Sequence, residues 1–402
     1  MTGVDCGRTS VLILAAGKAE RMGRVKALLP LPLLPGGVAC STLAGLARLY
    51  RACGLEDITV VSGFHATLVE EEAAALGLAV VRNLHPEAGM FSSVRAGFAA
   101  LAKRGGVERI FVQPVDIPLV RPLTVMALLD AADEEKSRNL PASPVLVPAF
   151  SGDKGHPPLV GAQCFRRILE HDGRGGLRTA LAGLAQRVVD VPDALILEDM
   201  DTPVEYERLR GQARWHEALS PDEAHALLRL RRIPEKGLRH ARAVGAVAAR
   251  LAHALEKSRK DRGLAASCCA RLAMAGGLLH DICKGEPHHE AAGGKLLESL
   301  GLPVMAELVR DHRDLVLPEE APFAERELVY LADKYCRGDS FVPLEIRFGQ
   351  KLEQYANDAE ACAAITGRLE RAQRMEARFA RETGIPPATL ARAALESGEE
   401  AA

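Results

Sequence analysis

Residues 11–30 read VLILAAGKAERMGRVKALLP. The apolar run VLIL gives way to a turn that sets Gly17 and Gly23 among Lys18, Arg21, Arg24 and Lys26, and the chain then becomes apolar again. The first run has the character of a buried strand. Glycines just beyond it let the backbone approach an anion closely with its N–H groups turned inward, and Arg21 and Lys26 add fixed positive charge suited to a triphosphate. The plainer alternative is a strand-to-helix turn with a solvated basic face. The stretch contains neither GxxxxGK[ST] nor GxGxxG.

Outward from this turn, short β-like runs alternate with helical stretches: VLILA then STLAGLARLYRAC, DITVVSG then TLVEEEAAALG, LAVVRN then SSVRAGFAALAKR, RIFVQPVD then LTVMALLDAADEE. Such alternation requires crossover connections and predicts an α/β fold with a mostly parallel sheet and helices on both faces. Ligands of such sheets lie beyond the carboxyl ends of the strands. After about residue 212 the strands stop. Ser220, Pro221 and Glu223 form a capping-box start, and an Ala/Leu/Arg-rich helical pattern follows. The expected organisation is a first domain at 1–212, a linker at 213–224, an all-α domain at 225–375, and a C-terminal helix and polar tail at 376–402 with a frayed end.

A length of 402 residues suits two cores better than one. With 26% charged residues and a formal net charge of −2, there is no electrostatic case for nucleic-acid or membrane binding. Aromatic residues are 4%, so stacking platforms for single strands are few. Nine cysteines without a CxxC spacing read as reduced thiols, not as a disulfide frame or a zinc site. Apolar runs all break well short of ~20 residues, and there is no basic segment followed by a long apolar one, so a cytoplasmic location is expected.

Two acids follow predicted strand ends. Asp116, in VQPVDIPLV (112–120), either supplies a carboxylate for Mg²⁺ or caps a helix beginning near Leu123. Asp201, in EDMDTPVEY, either completes that metal site or caps a helix beginning at Pro203. Taken together, LAAGKAERMGRVKALLP (14–30), RNLHPEAGMFSSVRAGF (82–98), VDIPLV, GDKGHPPLV (152–160) and DMDTPVEY resemble the ordered motifs of the MobA-like nucleotidyltransferases, in particular the molybdenum cofactor cytidylyltransferase branch. The resemblance covers about 1–210. It implies a GT-A-like, Rossmann-like domain that transfers CMP from CTP to molybdopterin, forming molybdopterin cytosine dinucleotide with release of pyrophosphate. It further implies that Leu14, Ala15, Ala16 and Gly17 hold the nucleotide by the backbone, that Arg21 and Lys26 neutralise phosphates, and that Asn83, Ser92 and Ser93 border base and ribose. Asp116 and Asp201 would bind Mg²⁺, and Gly155 and His156 would face the acceptor. Ala19, in place of a small hydroxyl residue, and Lys154, in place of Arg, depart from the family pattern and bear on nucleotide and acceptor identity.

In the second domain, GLLHDICKGEPHHEAAGG (277–294) places His280 and Asp281 at the end of an apolar helix. A buried charged Asp calls for a partner or a metal. His240, His289, His312 and Asp333 extend the set, and mixed imidazole and carboxylate donors suit Fe, Mn, Co, Ni or Zn, including a pair of ions bridged by Asp281. The order His240, His280–Asp281, Asp333 resembles the H…HD…D core of HD phosphohydrolases over roughly 225–345, with His289 and His312 placed like the extra ligands of dinuclear members. The resemblance implies metal-dependent phosphohydrolysis in which His280 and Asp281 are catalytic. Lys284 and Glu286 read as a solvated loop, and LRLRRIPEK (228–236) as a solvated helix end.

The expected partners are CTP or another nucleoside triphosphate, a molybdopterin-type acceptor, and a recipient molybdoenzyme or chaperone. The alternative is transfer to another phosphorylated acceptor or from GTP, with the HD domain acting as a nucleotide-sensing regulatory module.

Overall fold

The computed structural model describes residues 8–34, 37–138, 140–310, 312, 314–319 and 321–396. The chain forms two compact units, Met1–His216 and Glu217–Ala402.

The strands of the first unit are β1 (Thr9–Leu14), β2 (Pro30–Leu34), β3 (Val38–Ser41), β4 (Ile58–Ser62), β5 (Ala79–Arg82), β6 (Arg109–Pro114), β7 (Val145–Phe150), β8 (Asp153–Lys154), β9 (Leu159–Gly161) and β10 (Gln186–Asp190). Its helices are α1 (Thr42–Ala52), α2 (Ala66–Ala75), α3 (Met90–Arg104), α4 (Pro122–Ser137), α5 (Phe165–Glu170), α6 (Gly176–Ala180) and α7 (Pro203–Ala213). The main sheet runs β10-β7-β9-β6-β1-β4-β5, with β8 on β7. The pairs β1–β4, β1–β6, β4–β5 and β7–β10 are parallel, as strand–helix alternation requires. Strand β1 is buried along its whole length, and after Thr9 and Ser10 it reads as the apolar run Val11–Leu14. Helix α3 closes one face with Phe98 and Val94 against Leu12 and Val112.

The stretch GDKGHPPLV contains strand that the alternation of apolar runs and helices does not announce. It supplies β8 and β9, and β9 inserts antiparallel between β6 and β7. Three residues of strand are too few to show a period, so the sequence offers no sign of this insertion.

The second unit contains α8 (Pro221–Leu230), α9 (Glu235–Asp261), α10 (Ala270–Leu279), α11 (His289–Ser299), α12 (Pro303–Arg310), α13 (Glu325–Tyr335), α14 (Leu344–Gln354), α15 (Ala359–Thr383) and α16 (Pro387–Glu396). A two-residue ribbon of β11 (Cys336–Arg337) and β12 (Ser340–Phe341) follows α13. Ser220 and Glu223 cap α8 reciprocally, so a boundary at 225 falls inside a helix, and one at 375 falls inside α15. Cys6 and residues 397–402, which include most of the expected frayed end, lie outside the described residues. Among the described residues every cysteine is free, and no helix is long and apolar enough to cross a membrane.

Helices α9, α10 and α13 carry the core of this unit through Val244, Val247, Leu251, Ala273, Leu328 and Leu331. Helices α9 and α10 cross almost backbone to backbone. A Cβ on Gly277 would lie 2.7 Å from Gly245 Cα and 2.9 Å from the Val244 carbonyl oxygen. That approach sets His240 of α9 beside His280 at the end of α10, with ring centres 5.1 Å apart. Gly277→Val is expected to force the helices apart and cost the second unit roughly 1–3 kcal/mol; urea unfolding followed by circular dichroism measures this, and parental stability would refute the close-crossing argument.

Candidate active sites

Strands β1, β4 and β6 end side by side, with Leu14 paired to both Val61 and Pro114. Ala15 N donates to the Val61 carbonyl at 2.9 Å and Phe64 N to the Ala16 carbonyl at 3.3 Å, which lays the 15–17 turn across the end of β4. Gly63 permits this approach, because a Cβ there would stand 2.8 Å from the Ala16 carbonyl oxygen. Asp116 follows β6, and its carbonyl accepts from Met200 N at 2.9 Å, which ties the 199–201 segment to the same edge. Lys26 Nζ donates to Asp116 Oδ2 at 3.0 Å and to Asp201 Oδ1 at 2.5 Å, while Arg21 pairs with the other oxygen of Asp201. These groups border a cavity of 590 Å³ with Leu14 to Gly17 on one side and His156 on another.

Burial opposes the charge on Lys26, but Asp116 and Asp201 outweigh it and raise the Lys26 pKa. The hydrogen bond from Lys26 is the main cause holding the Asp201 carboxyl below its ordinary value. Burial lowers the His156 pKa, with Asp116 opposing. Two carboxylates close enough to share one ammonium form a hard oxygen donor set, which fits Mg²⁺ with phosphate and water oxygens completing its shell.

In the second unit Asp281 stands at the centre of four imidazoles. Its Oδ2 lies 3.4 Å from His280 Nε2 and 3.6 Å from His240 Nε2, and its Oδ1 lies 3.1 Å from His289 Nε2 and 3.6 Å from His312 Nε2. Asp333 Oδ1 is 3.5 Å from His240 Nε2. His240, His280 and His312 each turn Nδ1 to a backbone carbonyl, those of Gly338, Gly277 and Val309, at 2.9, 2.7 and 2.7 Å. That bond fixes the tautomer and leaves the Nε2 lone pairs facing inward. His280 is 1% exposed, and its Nε2 has no hydrogen-bond partner. A buried, unpartnered imidazole nitrogen beside carboxylates fits a transition-metal ligand set, and His240–His280–Asp333 and His280–Asp281–His312 each converge closely enough to hold an ion. Burial pushes the Asp281 and Asp333 carboxyls up, but the surrounding imidazoles, with Lys334 and Arg347 for Asp333, win and hold both far below the usual range.

Comparison with known proteins finds a family match for each half of the chain. Residues 11–189 match the MobA-like NTP transferase domain and residues 237–338 the HD domain. The chain joins a MobA-like NTP transferase domain to an HD domain. The molybdenum cofactor cytidylyltransferase of Escherichia coli (strain K12) is 26% identical over 207 residues, 51% of this chain and 95% of the relative. Rv0371c from Mycobacterium tuberculosis H37Rv is 24% identical with a TM-score of 0.41, over 50% of this chain and 97% of that one. A nucleotidyl transferase from Methanothermobacter thermautotroptrophicus is 24% identical with a TM-score of 0.43, over 52% and 98%.

Within the transferase domain, Leu14, Ala15, Ala16, Gly17, Arg21, Lys26, Ser93, Asp116, His156 and Asp201 all border the cavity. Asn83, Ser92 and Gly155 do not. Asn83 Nδ2 donates to Ser92 Oγ at 2.7 Å and Ser93 Oγ at 3.0 Å, so these buried groups knit the 83–93 segment together. Gly155 is a packing position whose Cβ would meet the Ile196 carbonyl oxygen at 2.6 Å. Neither acid is a helix cap: Thr202 and Glu205 cap α7, and α4 starts after Arg121. Lys154 bonds Gln186 at 2.9 Å and stands apart from the cavity lining. Ala19 adopts a left-handed φ of 57°, a conformation that costs a non-glycine residue about 1 kcal/mol.

Phe64, Met90 and Asp199 also border this cavity and were not singled out from sequence. The polarity rule could have found Phe64, which leaves β4 at the same edge as the glycine turn. In the HD domain, Lys334 and Arg347 reach Asp333 without any motif marking them, at 2.8 and 3.4 Å. Lys284 lies exposed in a loop, as expected, and also pairs with Asp281.

Removing the shared ammonium tests the transferase cluster. In Lys26→Met the Asp201 carboxyl is expected to titrate at higher pH than in the parent. A depressed carboxyl pKa stabilises the fold above the unfolded value and loses that contribution as pH falls through the folded one. The stability difference between parent and variant that Asp201 contributes should therefore be full above the ordinary aspartate range and close below it. Carbon-detected NMR titration of Asp201 with acid unfolding measures both, and an unmoved Asp201 would count against the pairing.

Proposed function

We propose that the transferase domain moves CMP from CTP to the phosphate of molybdopterin in the cytoplasm, and that the HD domain hydrolyses a phosphorylated compound. The observation that carries the first half is the Lys26 ammonium bonded to both Asp116 and Asp201 on the cavity bordered by the 14–17 turn. The likeness to the E. coli cytidylyltransferase supports CTP and molybdopterin as the pair. In this reading an oxygen of the acceptor phosphate attacks the α-phosphorus of CTP. The bond from that phosphorus to the bridging oxygen breaks, and its electrons leave on pyrophosphate. Arg21 and Lys26 neutralise the phosphate chain, and Gly17 gives it room, since a Cβ there meets nothing within 4 Å. Mg²⁺ held by Asp116 and Asp201 would supply the remaining neutralisation.

For the HD domain, His240, His280, Asp281 and Asp333, with His289 and His312, would hold one or two ions of Fe, Mn, Co, Ni or Zn. Such ions would lower the pKa of bound water and polarise the phosphoryl group. Here His280 and Asp281 serve as ligands whose rings and oxygens are fixed by Gly277 and by the surrounding imidazoles.

The test is pyrophosphate release by the purified chain with molybdopterin and each nucleoside triphosphate. CTP should be preferred; release with neither CTP nor GTP would overturn the transferase assignment. Lys26→Met should lower kcat/KM about 100-fold, the scale of losing one charged group aimed at developing charge. For the HD half, a chelator or Asp281→Ala should abolish phosphoester hydrolysis and leave Mg²⁺-supported transfer in the variant unchanged; retained hydrolysis in metal-free protein would refute the assignment.

A further inference from the structure

Among the described residues, the lysines and arginines bordering the transferase cavity are Lys18, Arg21 and Lys26, and each already faces a carboxylate. Lys18 Nζ lies 2.5 Å from Glu20 Oε1, Arg21 pairs with Asp201 Oδ2, and Lys26 bonds Asp116 Oδ2 and Asp201 Oδ1. Asp199 is a fourth carboxylate on the same border. With four acids against three cations, the border has no surplus of positive charge to offer a triphosphate.

The pairs differ in their hold. The Lys18 and Glu20 side chains are 59% and 69% exposed, and such a pair is weak. Those of Lys26, Asp116 and Asp201 are only 17%, 20% and 25% exposed. Groups withdrawn this far from water depend on one another, so drawing the ammonium off leaves two acids uncompensated. The Lys26 backbone is fixed in the short 3₁₀ turn Lys26–Leu28, where its carbonyl accepts from Leu29 N at 3.2 Å. Its ammonium, on a flexible four-carbon stem, is the part free to move. The carboxylate oxygens that Lys26 and Arg21 occupy belong to the acids proposed to hold Mg²⁺, so ion and ammonium compete for them.

We propose that Lys26 exchanges partners: it occupies Asp116 and Asp201 until Mg²⁺ takes them, and then turns its ammonium to the triphosphate. Lys26 is thereby the residue that couples ion binding to nucleotide binding. This rests on the transferase reading above. Mg²⁺ alone has to displace an ammonium that has no phosphate to receive it. Nucleotide alone has to draw that ammonium from acids left without an ion. Each ligand therefore binds weakly by itself and strengthens the other by the same factor.

The test is Mn²⁺ binding to the full chain with and without CTP, followed by electron paramagnetic resonance of the free ion. Without CTP, Lys26→Met should bind Mn²⁺ about tenfold more tightly than the parent, the scale of a hydrogen bond between charged groups, and Lys26→Arg should stay near the parent. Lys18→Met removes the same charge from the same border and should leave Mn²⁺ binding within about twofold of the parent. CTP should strengthen Mn²⁺ binding by about tenfold or more in the parent, and by less in Lys26→Met. Unchanged or weaker Mn²⁺ binding in Lys26→Met overturns the exchange, and so does an equal gain in Lys18→Met, which marks simple repulsion. The parent supplies a second measurement that does not depend on the variant folding. In protein labelled with ¹⁵N-lysine, saturating Mg²⁺ should release the Lys26 ammonium to solvent and abolish its signal, and added CTP should restore the signal at a new position. A signal that Mg²⁺ leaves unmoved refutes the proposal. If neither CTP nor GTP changes Mn²⁺ binding or the signal, the transferase reading fails, and Mn²⁺ affinity without nucleotide still decides whether Lys26 and the ion compete.

Discussion

An ionised carboxylate withdrawn from water has to be answered by positive charge or hydrogen-bond donors, and both centres of this chain are arranged around that requirement. In the transferase domain one ammonium, Lys26, answers two acids that arrive from distant parts of the sequence, Asp116 after β6 and Asp201 before α7. In the HD domain Asp281 is answered by four imidazoles and Lys284, and Asp333 by Lys334, Arg347 and His240. Local structure supplies only His280, Lys284 and Lys334 beside the acids they face, and the rest of each set comes from elsewhere in the chain. Each exists because the fold brings strand ends or helix ends to one point.

Close backbone approach is what makes those points possible. Gly63 lets the 15–17 turn lie against the end of β4, and Gly277 with Gly245 lets α9 and α10 touch. A side chain at either position would displace the groups that border the two candidate sites: the 15–17 turn in one domain, the His240–His280 pair in the other. Packing and function therefore constrain the same residues, and stability and activity should respond together at these glycines.

The architecture was legible because strand polarity is written in alternation: an apolar run, a turn, a helical period, repeated. The same polarity places the 14–26 turn and Asp116 at one sheet edge, where the structure has them. What escaped has physical reasons. β9 is three residues long and has no period to read. Asn83 and Ser92 carry polar groups that suit a ligand as well as they suit each other, and only the structure shows that they bond inward. Ala19 sits in a left-handed conformation that nothing in its identity announces. In the HD domain, Lys334, Arg347 and Lys351 are ordinary surface-type residues by sequence; helix rotation alone brings them to the Asp281–Asp333 pair. Histidines and aspartates advertise ligand chemistry by type, whereas a lysine beside them does not.

The two donor sets also differ in kind, and the difference bears on how the chain would be controlled. Carboxylate oxygens shared with a lysine suit a hard, weakly held ion that arrives with nucleotide phosphates. Buried imidazoles with fixed tautomers suit a transition metal held by the protein itself, with affinity set by ligand softness and geometry. Under the proposed reading the transferase therefore depends on nucleotide and Mg²⁺ together, while the HD centre depends on metal loading before any substrate arrives. One polypeptide can then lose hydrolysis through metal starvation and keep transfer, because no ligand residue is common to both centres.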